Sequence, residues 1–220
     1  MRIRFKPWAR PELEASKFYI DNPEEYIGKW REKFKNKDNP LYIELGCGKG
    51  SFISELAFKN PNINYIAIDL VDAMLGLAKR KVEEKYNANN IKVENLILVR
   101  YDIERIFNIF NKNDKIERIY INFCNPWPRG KHHKKRLTHT RQLESYKTFL
   151  QGNAEIYFKT DDDGLFDDSL SYFTETGFKI ISKTLDLHKN DIFNGQNIVT
   201  EHEKMFSDEG IKIKALIARK

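Results

Sequence analysis

The chain is predicted to fold as an α/β domain, a doubly wound, largely parallel sheet of seven strands with the last strand antiparallel. Three observations predict it. Apolar runs bounded by turn residues alternate with amphipathic segments along most of the sequence. The first clear run, Leu41-Tyr-Ile-Glu-Leu45, feeds a glycine-rich turn, Gly46-Cys-Gly-Lys-Gly50, that opens a helical pattern. The last two runs are joined by a polar stretch, Lys189 to Glu209, with too few apolar residues for an ordinary crossover helix. The final strand is therefore expected to return as a hairpin partner.

The elements follow in order. A basic N-terminal arm leads to a helix near 23–35 with Pro23 in its first turn. Strand 41–45 is followed by a helix over about 51–59, strand 64–69 (Tyr65-Ile-Ala-Ile), and a helix over about 72–87. Strand 96–101 carries Leu96-Ile-Leu-Val99 and runs into a short helix near 103–110. Strand 117–123, with Ile119, Tyr120, Ile121 and Phe123, has the β-branched and aromatic content of a strand covered on both faces. Pro126 and Pro128 end it, since neither donates a ladder hydrogen bond. A helix near 138–150, strand 154–160, a helix near 162–175 and strands near 178–187 and 211–218 complete the pattern. No internal repeat or low-complexity tract interrupts it. One domain over 1–220 is the economical division, with the arm and first helix occupying about 1–38.

Composition sets bounds. A net charge of +6 and a pI near 9.1 permit a polyanionic partner, but the clustering of cations matters more than their total. Cys47 and Cys124 have neither zinc nor redox-dithiol spacing, so a reducing compartment is expected. The basic N-terminus precedes no apolar core of a signal peptide and no stretch is long enough to span a membrane, which predicts a soluble cytoplasmic protein.

Two stretches carry the chemistry. Gly46, Gly48 and Gly50 would let backbone approach a ligand where a β-carbon would clash. Asp69, at the end of the next strand, is placed to accept hydrogen bonds from a ribose diol. The loop reads Gly-x-Gly-x-Gly, which fits neither the dinucleotide fingerprint nor the P-loop. Glu44 before it would repel pyrophosphate and suit a ligand carrying positive charge. S-adenosylmethionine, with its sulfonium and ammonium groups, meets these requirements. Asp102 is placed either to meet the adenine amino group or to cap the following helix.

Downstream, Asn125 and Trp127 are presented by a stiff turn at a strand's carboxyl end, where open α/β sheets bind ligands. The next eight residues, Arg129 to Arg136, hold five cations (Arg129, Lys131, Lys134, Lys135, Arg136) with His132 and His133. Phosphate is the expected counter-charge. The two histidines are adjacent rather than three or four apart and have cationic neighbours, which argues against a metal. Trp127 is suited either to stack on a base or to pack under a loop. Asp161 to Asp163 precede a helix and suit capping, and Thr200 with Glu203 matches a capping box.

The whole pattern resembles the bacterial tRNA (guanine-N7)-methyltransferase family. The likeness runs from Arg2-Ile-Arg-Phe-Lys-Pro-Trp8 through Glu44-Leu-Gly-Cys-Gly-Lys-Gly50, Asn122-Phe-Cys-Asn-Pro-Trp-Pro128, Lys135-Arg-Leu-Thr138 and Lys159-Thr-Asp161 to Thr200-Glu-His-Glu203. The resemblance implies a class I, Rossmann-like methyltransferase acting on tRNA, as monomer or homodimer. By it, Glu44, Asp69, Asp102 and Asn125 line the S-adenosylmethionine site. Arg129, Asp161, Thr200, Glu201, His202 and Glu203 contact the tRNA guanosine. Asn125 stands where the family usually has Asp, Arg129 where Lys is usual, and His202 where an aromatic is usual.

Guanine N7 carries an in-plane lone pair and needs no general base, so alignment is the main requirement. The product ring gains positive charge, which carboxylates such as Asp161 and Glu203 would stabilise. Two other readings are open: methylation of an exocyclic amine, since Asn125-Pro-Trp is similar to the Asn-Pro-Pro-aromatic elbow of amine methyltransferases, and a catalytically weak RNA-binding homologue, motivated by Asn125.

Overall fold

One twisted sheet organises the molecule. The computed structural model describes residues 4–195 and 197–220, with only the backbone at 192. Arg2 and Ile3 of the predicted arm lie outside these residues. The strands are β1 (Tyr19–Ile20), β2 (Leu41–Leu45), β3 (Asn64–Asp69), β4 (Leu96–Arg100), β5 (Ile116–Asn122), β6 (Leu150–Thr160), β7 (Lys179–Thr184) and β8 (Lys214–Arg219). The helices are α1 (Ala9–Glu14), α2 (Ser51–Lys59), α3 (Asp72–Ala88), α4 (Thr140–Lys147), α5 (Asp163–Glu175), α6 (Asp191–Asn194) and α7 (Glu201–Asp208).

The strand order is β1-β4-β3-β2-β5-β6-β8-β7, an eight-stranded sheet among the described residues rather than the predicted seven. The additional strand, β1, pairs in parallel with β4 over Tyr19↔Leu98 and Ile20↔Val99. Two residues are too few to show an alternation. From β2 the chain winds outward through β3 and β4, then returns to place β5 on the other side of β2, so the topological switch point lies between β2 and β5. The expected hairpin is present, since β8 runs antiparallel to both β6 and β7.

Alternation along the strands supplies two cores. Leu41, Ile43, Leu45, Ile66, Ile68, Ile119 and Ile121 face α4, α5 and Trp30. Tyr65, Ala67, Leu96, Leu98 and Tyr120 face α2 and α3. Each fully buried aliphatic or aromatic side chain contributes about 1.5–3 kcal/mol relative to exposure.

Two further expectations need correction. The helix predicted near 23–35 is two 3₁₀-helical turns, Pro23–Tyr26 and Trp30–Lys33. Gly28, at φ +76°, breaks the spiral between them, and the freed amides of Gly28 and Trp30 donate to Asp114 at 2.9 and 3.3 Å. The 103–110 segment is likewise 3₁₀-helical over Ile103–Asn108, kinked at Arg105. The polar 189–209 stretch contains α6 and α7, both short. The arm forms α1 and packs on α3, where a β-carbon at Gly76 would come within 2.8 Å of the Ala9 β-carbon. The Arg80 guanidinium covers Trp8 at 3.5 Å. No described helix is long and apolar enough to cross a membrane.

Candidate active site

The glycine turn sits at the carboxyl end of β2, beside the switch point. Gly46, Gly48 and Gly50 all take positive φ (+77°, +53° and +74°). The turn is tied to β3, because the amides of Gly46 and Cys47 both donate to the Ile68 carbonyl at 2.8 and 3.0 Å. Gly50 is also a packing requirement, since a β-carbon there would lie 2.6 Å from that of Ala78. Beside Gly48, by contrast, no described atom lies within 4 Å of where a β-carbon would be. Asp69 braces the turn, its carboxylate accepting from Gly48 N at 2.9 Å and Val71 N at 3.0 Å. Each oxygen keeps a second acceptor site. Burial raises the Asp69 pKa against those backbone hydrogen bonds.

Glu44 is the most unusual group here. It is 2% exposed. Its Oε1 accepts from Asn122 Nδ2 at 3.0 Å, while Oε2 is buried with no partner among the described residues. Burial pushes the Glu44 carboxyl up to about 7, against the pull of the Asn122 hydrogen bond and the Lys159 charge. A buried acceptor without a partner is costly, and a cationic ligand would relieve it. Asp102 caps the 3₁₀ segment through Glu104 N at 3.0 Å, as its alternative reading had it. Leu70, directly after Asp69, is an apolar side chain 51% exposed.

The elbow after β5 stores backbone strain. Phe123 and Trp127 hold φ of +52° and +43°, which costs bulky residues on the order of 1–3 kcal/mol each. Asn125 is exposed, and its Oδ1 accepts from Trp127 N at 3.0 Å. A β-carbon on Gly46 would lie 3.9 Å from Leu137, so the end of the basic loop stands beside the glycine turn.

Within that loop Arg129, Lys131 and Lys134 are exposed, and Lys135 lies over Trp127 at 5.1 Å with the His132 ring 5.8 Å from the same indole. Arg136 corrects the sequence reading. It is 4% exposed, donating to the Pro126 carbonyl at 2.6 Å and to Asp168 at 2.5 Å. It braces the elbow from within rather than extending the cationic surface.

The C-terminal segment meets the site from the other side. Thr200 and Glu203 form the capping box of α7, with Glu203 N donating to Thr200 Oγ1 at 3.0 Å. Glu203 is fully buried and accepts from Lys159 Nζ at 2.6 Å and Asn197 Nδ2 at 2.5 Å, which corrects its expected place against the base. His202 stacks on Phe123 with ring centroids 6.2 Å apart. Glu201 reaches back to the glycine turn, accepting from Lys49 at 3.1 Å, Ser51 Oγ at 2.9 Å and Lys81 at 2.5 Å. The α5 cap belongs to Asp162, through Leu165 N at 2.6 Å, so capping does not occupy Asp161.

Two residues stand in the sequence motifs without an assigned role. Asn122 holds Glu44, and Lys159, 6% exposed, ties β6 to the 197–203 segment. The signal for Lys159 was a lysine directly after the apolar run Ile156-Tyr-Phe158. A cavity of about 370 Å³ adjoins Lys159 and Asn122 and is lined by Phe52, Tyr120, Tyr157 and Ile198.

A largely parallel sheet with its switch point at a glycine turn, Glu44 on β2, Asp69 at the end of β3 and an antiparallel β8 defines a class I methyltransferase fold. Solved structures share it: an antibiotic-related methyltransferase (TM-score 0.60, 19% identity, 90% of this chain and 93% of that one) and the 16S rRNA methyltransferase KamB (0.58, 13%, 99% and 94%). Residues 38–216 match the family model described as "Putative methyltransferase". Over all 220 residues the chain is 59% identical to the tRNA (guanine-N(7)-)-methyltransferase of Clostridium beijerinckii, covering 99% of it. It is 57% identical to that of Clostridium perfringens strain 13, covering 100%, and 52% identical to that of Acetivibrio thermocellus, also covering 100%. The chain belongs to the tRNA (guanine-N7)-methyltransferase family.

Proposed function

We propose that this protein transfers a methyl group from S-adenosylmethionine to N7 of a guanine in the variable loop of tRNA, as a cytoplasmic enzyme of one domain. The observation that carries the reading is the buried, unpartnered Glu44 oxygen at the glycine turn, in a chain whose relatives of equal length are named for that reaction. A sulfonium and an ammonium group suit that oxygen, so the residues present fit the cofactor.

When bound, the cofactor supplies an electrophilic methyl on positively charged sulfur. Glu44 would hold its cationic end, Asp69 its ribose, Asp102 its adenine amino group through the oxygen not used in capping, and Leu70 an apolar face of the adenine. The glycines let that end lie against backbone. With its Oδ1 engaged by Trp127 N, Asn125 would have its amide NH2 left to donate to the guanine O6 acceptor. An exocyclic-amine reaction would instead need that oxygen to accept from the attacking nitrogen, which makes it the weaker reading. Asp161 would stabilise the charge that develops on the guanine ring. Arg129, Lys131, Lys134 and Lys135 form the surface for tRNA phosphates.

The test is incubation with labelled S-adenosylmethionine and tRNA lacking the modification, followed by mapping of the methylated base. N7-methylguanosine at one variable-loop position is expected. Methylation at another atom, or none, overturns the proposal.

A further inference from the structure

Lys49, on the glycine turn, Ser51, at the start of α2, and Lys81, on α3, surround one carboxylate that comes from far along the chain. Glu201 Oε2 accepts from Lys49 at 3.1 Å, and Oε1 from Ser51 Oγ at 2.9 Å and Lys81 Nζ at 2.5 Å. Lys81 also donates to Ser51. The hydrogen bond from Lys81, with those from Ser51 and Lys49, lowers the Glu201 pKa to about 2, so the group stays ionised at neutral pH.

The three donors are built from the glycine turn, α2 and α3, the two helices packing on each other and on β3. The acid that fills them belongs to the 197–203 segment, whose other anchor is the buried Lys159. Two ammonium groups and a hydroxyl converging on one monoanion leave a surplus positive charge. All four side chains remain accessible, with Lys49, Lys81 and Glu201 at 51%, 33% and 46% exposed. A pair this exposed contributes about 0–1 kcal/mol, so the carboxylate is cheaply displaced.

We propose that Lys49, Ser51 and Lys81 form a seat for a backbone phosphate of the RNA substrate, which Glu201 occupies in the free protein. A phosphate diester carries the same single negative charge and accepts from the same three donors. The seat lies at the carboxyl ends of β2 and β3, as does the glycine turn that Leu137 of the basic loop adjoins, so one RNA strand can engage both. Displaced Glu201 would release the outer anchor of α7 while Lys159 keeps the inner one. The inference rests on the proposed tRNA reaction, and its test separates the two.

The experiment measures tRNA affinity against salt, and S-adenosylmethionine affinity by calorimetry, for wild type, Glu201→Gln, Lys49→Met with Lys81→Met, and the triple variant. Removing the internal competitor in Glu201→Gln should tighten tRNA binding three- to tenfold at low salt. Removing both lysines should weaken it at least tenfold and reduce the salt slope by one to two. In the triple variant the gain from Glu201→Gln should vanish. A gain that persists without the lysines, tRNA affinity indifferent to them, or a loss confined to cofactor affinity overturns the seat, the last assigning it to the cofactor carboxylate. A wild-type protein that makes no N7-methylguanosine defeats the functional reading instead.

Discussion

Lys159 and Glu203, 44 residues apart in sequence, meet at 2.6 Å inside the protein with side chains 7% and 0% exposed. Burial lowers the Lys159 pKa, and the Glu203 charge opposes that shift. The ammonium also donates to the Ile198 carbonyl at 2.9 Å and to Asn197 Oδ1 at 3.0 Å, so one cation gathers the whole 197–203 segment against β6.

Lys159→Met should therefore lower unfolding free energy by about 3 kcal/mol, because it takes the ammonium from the buried Glu203 carboxylate and leaves Asn197 as its main side-chain donor. Lys159→Met combined with Glu203→Leu should recover most of that. Urea unfolding followed by tryptophan fluorescence checks both, and a single-variant loss below about 1 kcal/mol contradicts the pairing.

Glu44 gives stability and ligand binding opposite pH dependences. Its folded-state pKa, about 7, is raised above the ordinary carboxylate value. Between the ordinary value of 4.5 and about 7 the native protein holds a proton that the unfolded chain releases, so this group makes stability fall as pH rises through that range, and the fall levels off above it. Glu44→Gln should stabilise the ligand-free protein at pH 8 by on the order of 2–3 kcal/mol. Cofactor affinity should instead be weaker at pH 6 than at pH 8 and fall at least tenfold in Glu44→Gln. Thermal melts and calorimetry across that range measure both slopes.

The basic loop holds two kinds of cation. Lys131→Gln with Lys134→Gln should reduce the slope of log tRNA affinity against log salt by about 2, with little change in melting temperature. Arg136→Gln should instead destabilise the protein by about 1–3 kcal/mol, since it leaves the Pro126 carbonyl without its donor, while the half-exposed Asp168 turns to water. Equal salt slopes for all these variants would contradict the division.

Asp161→Asn should lower turnover about 100-fold while leaving the cofactor Kd within about twofold, because the carboxylate acts on charge that develops only in the transition state. Single-turnover methyl incorporation with saturating tRNA makes the measurement. Unimpaired turnover removes Asp161 from the chemistry.

The strand and helix order was legible because the central strands β2, β3 and β4 are buried on both faces, and such strands announce themselves as apolar runs. Where tertiary contacts decide the outcome, local pattern failed. Trp30 and Pro23 read as a helix, yet Asp114, over 80 residues away, captures the Gly28 and Trp30 amides and imposes two separate turns. The glycine turn and its acids were visible as chemistry in sequence. The division of labour in the basic run was not, because nothing local distinguishes Arg136 from Lys135. The fates of Glu201 and Glu203 were hidden for the same reason, since their partners, Lys81 and Lys159, lie 120 and 44 residues away.

The position of β8 has a consequence for biosynthesis. It lies between β6 and β7, so β7 has no neighbour in the sheet until residues 214–219 have left the ribosome. A nascent chain paused before that point exposes the edge of β6 and a stranded β7, both open to pairing with other chains. Completion of the sheet, and with it the wall of the cavity beside Lys159, is thus a late event in the synthesis of this protein, which gives chaperones a defined interval in which to act.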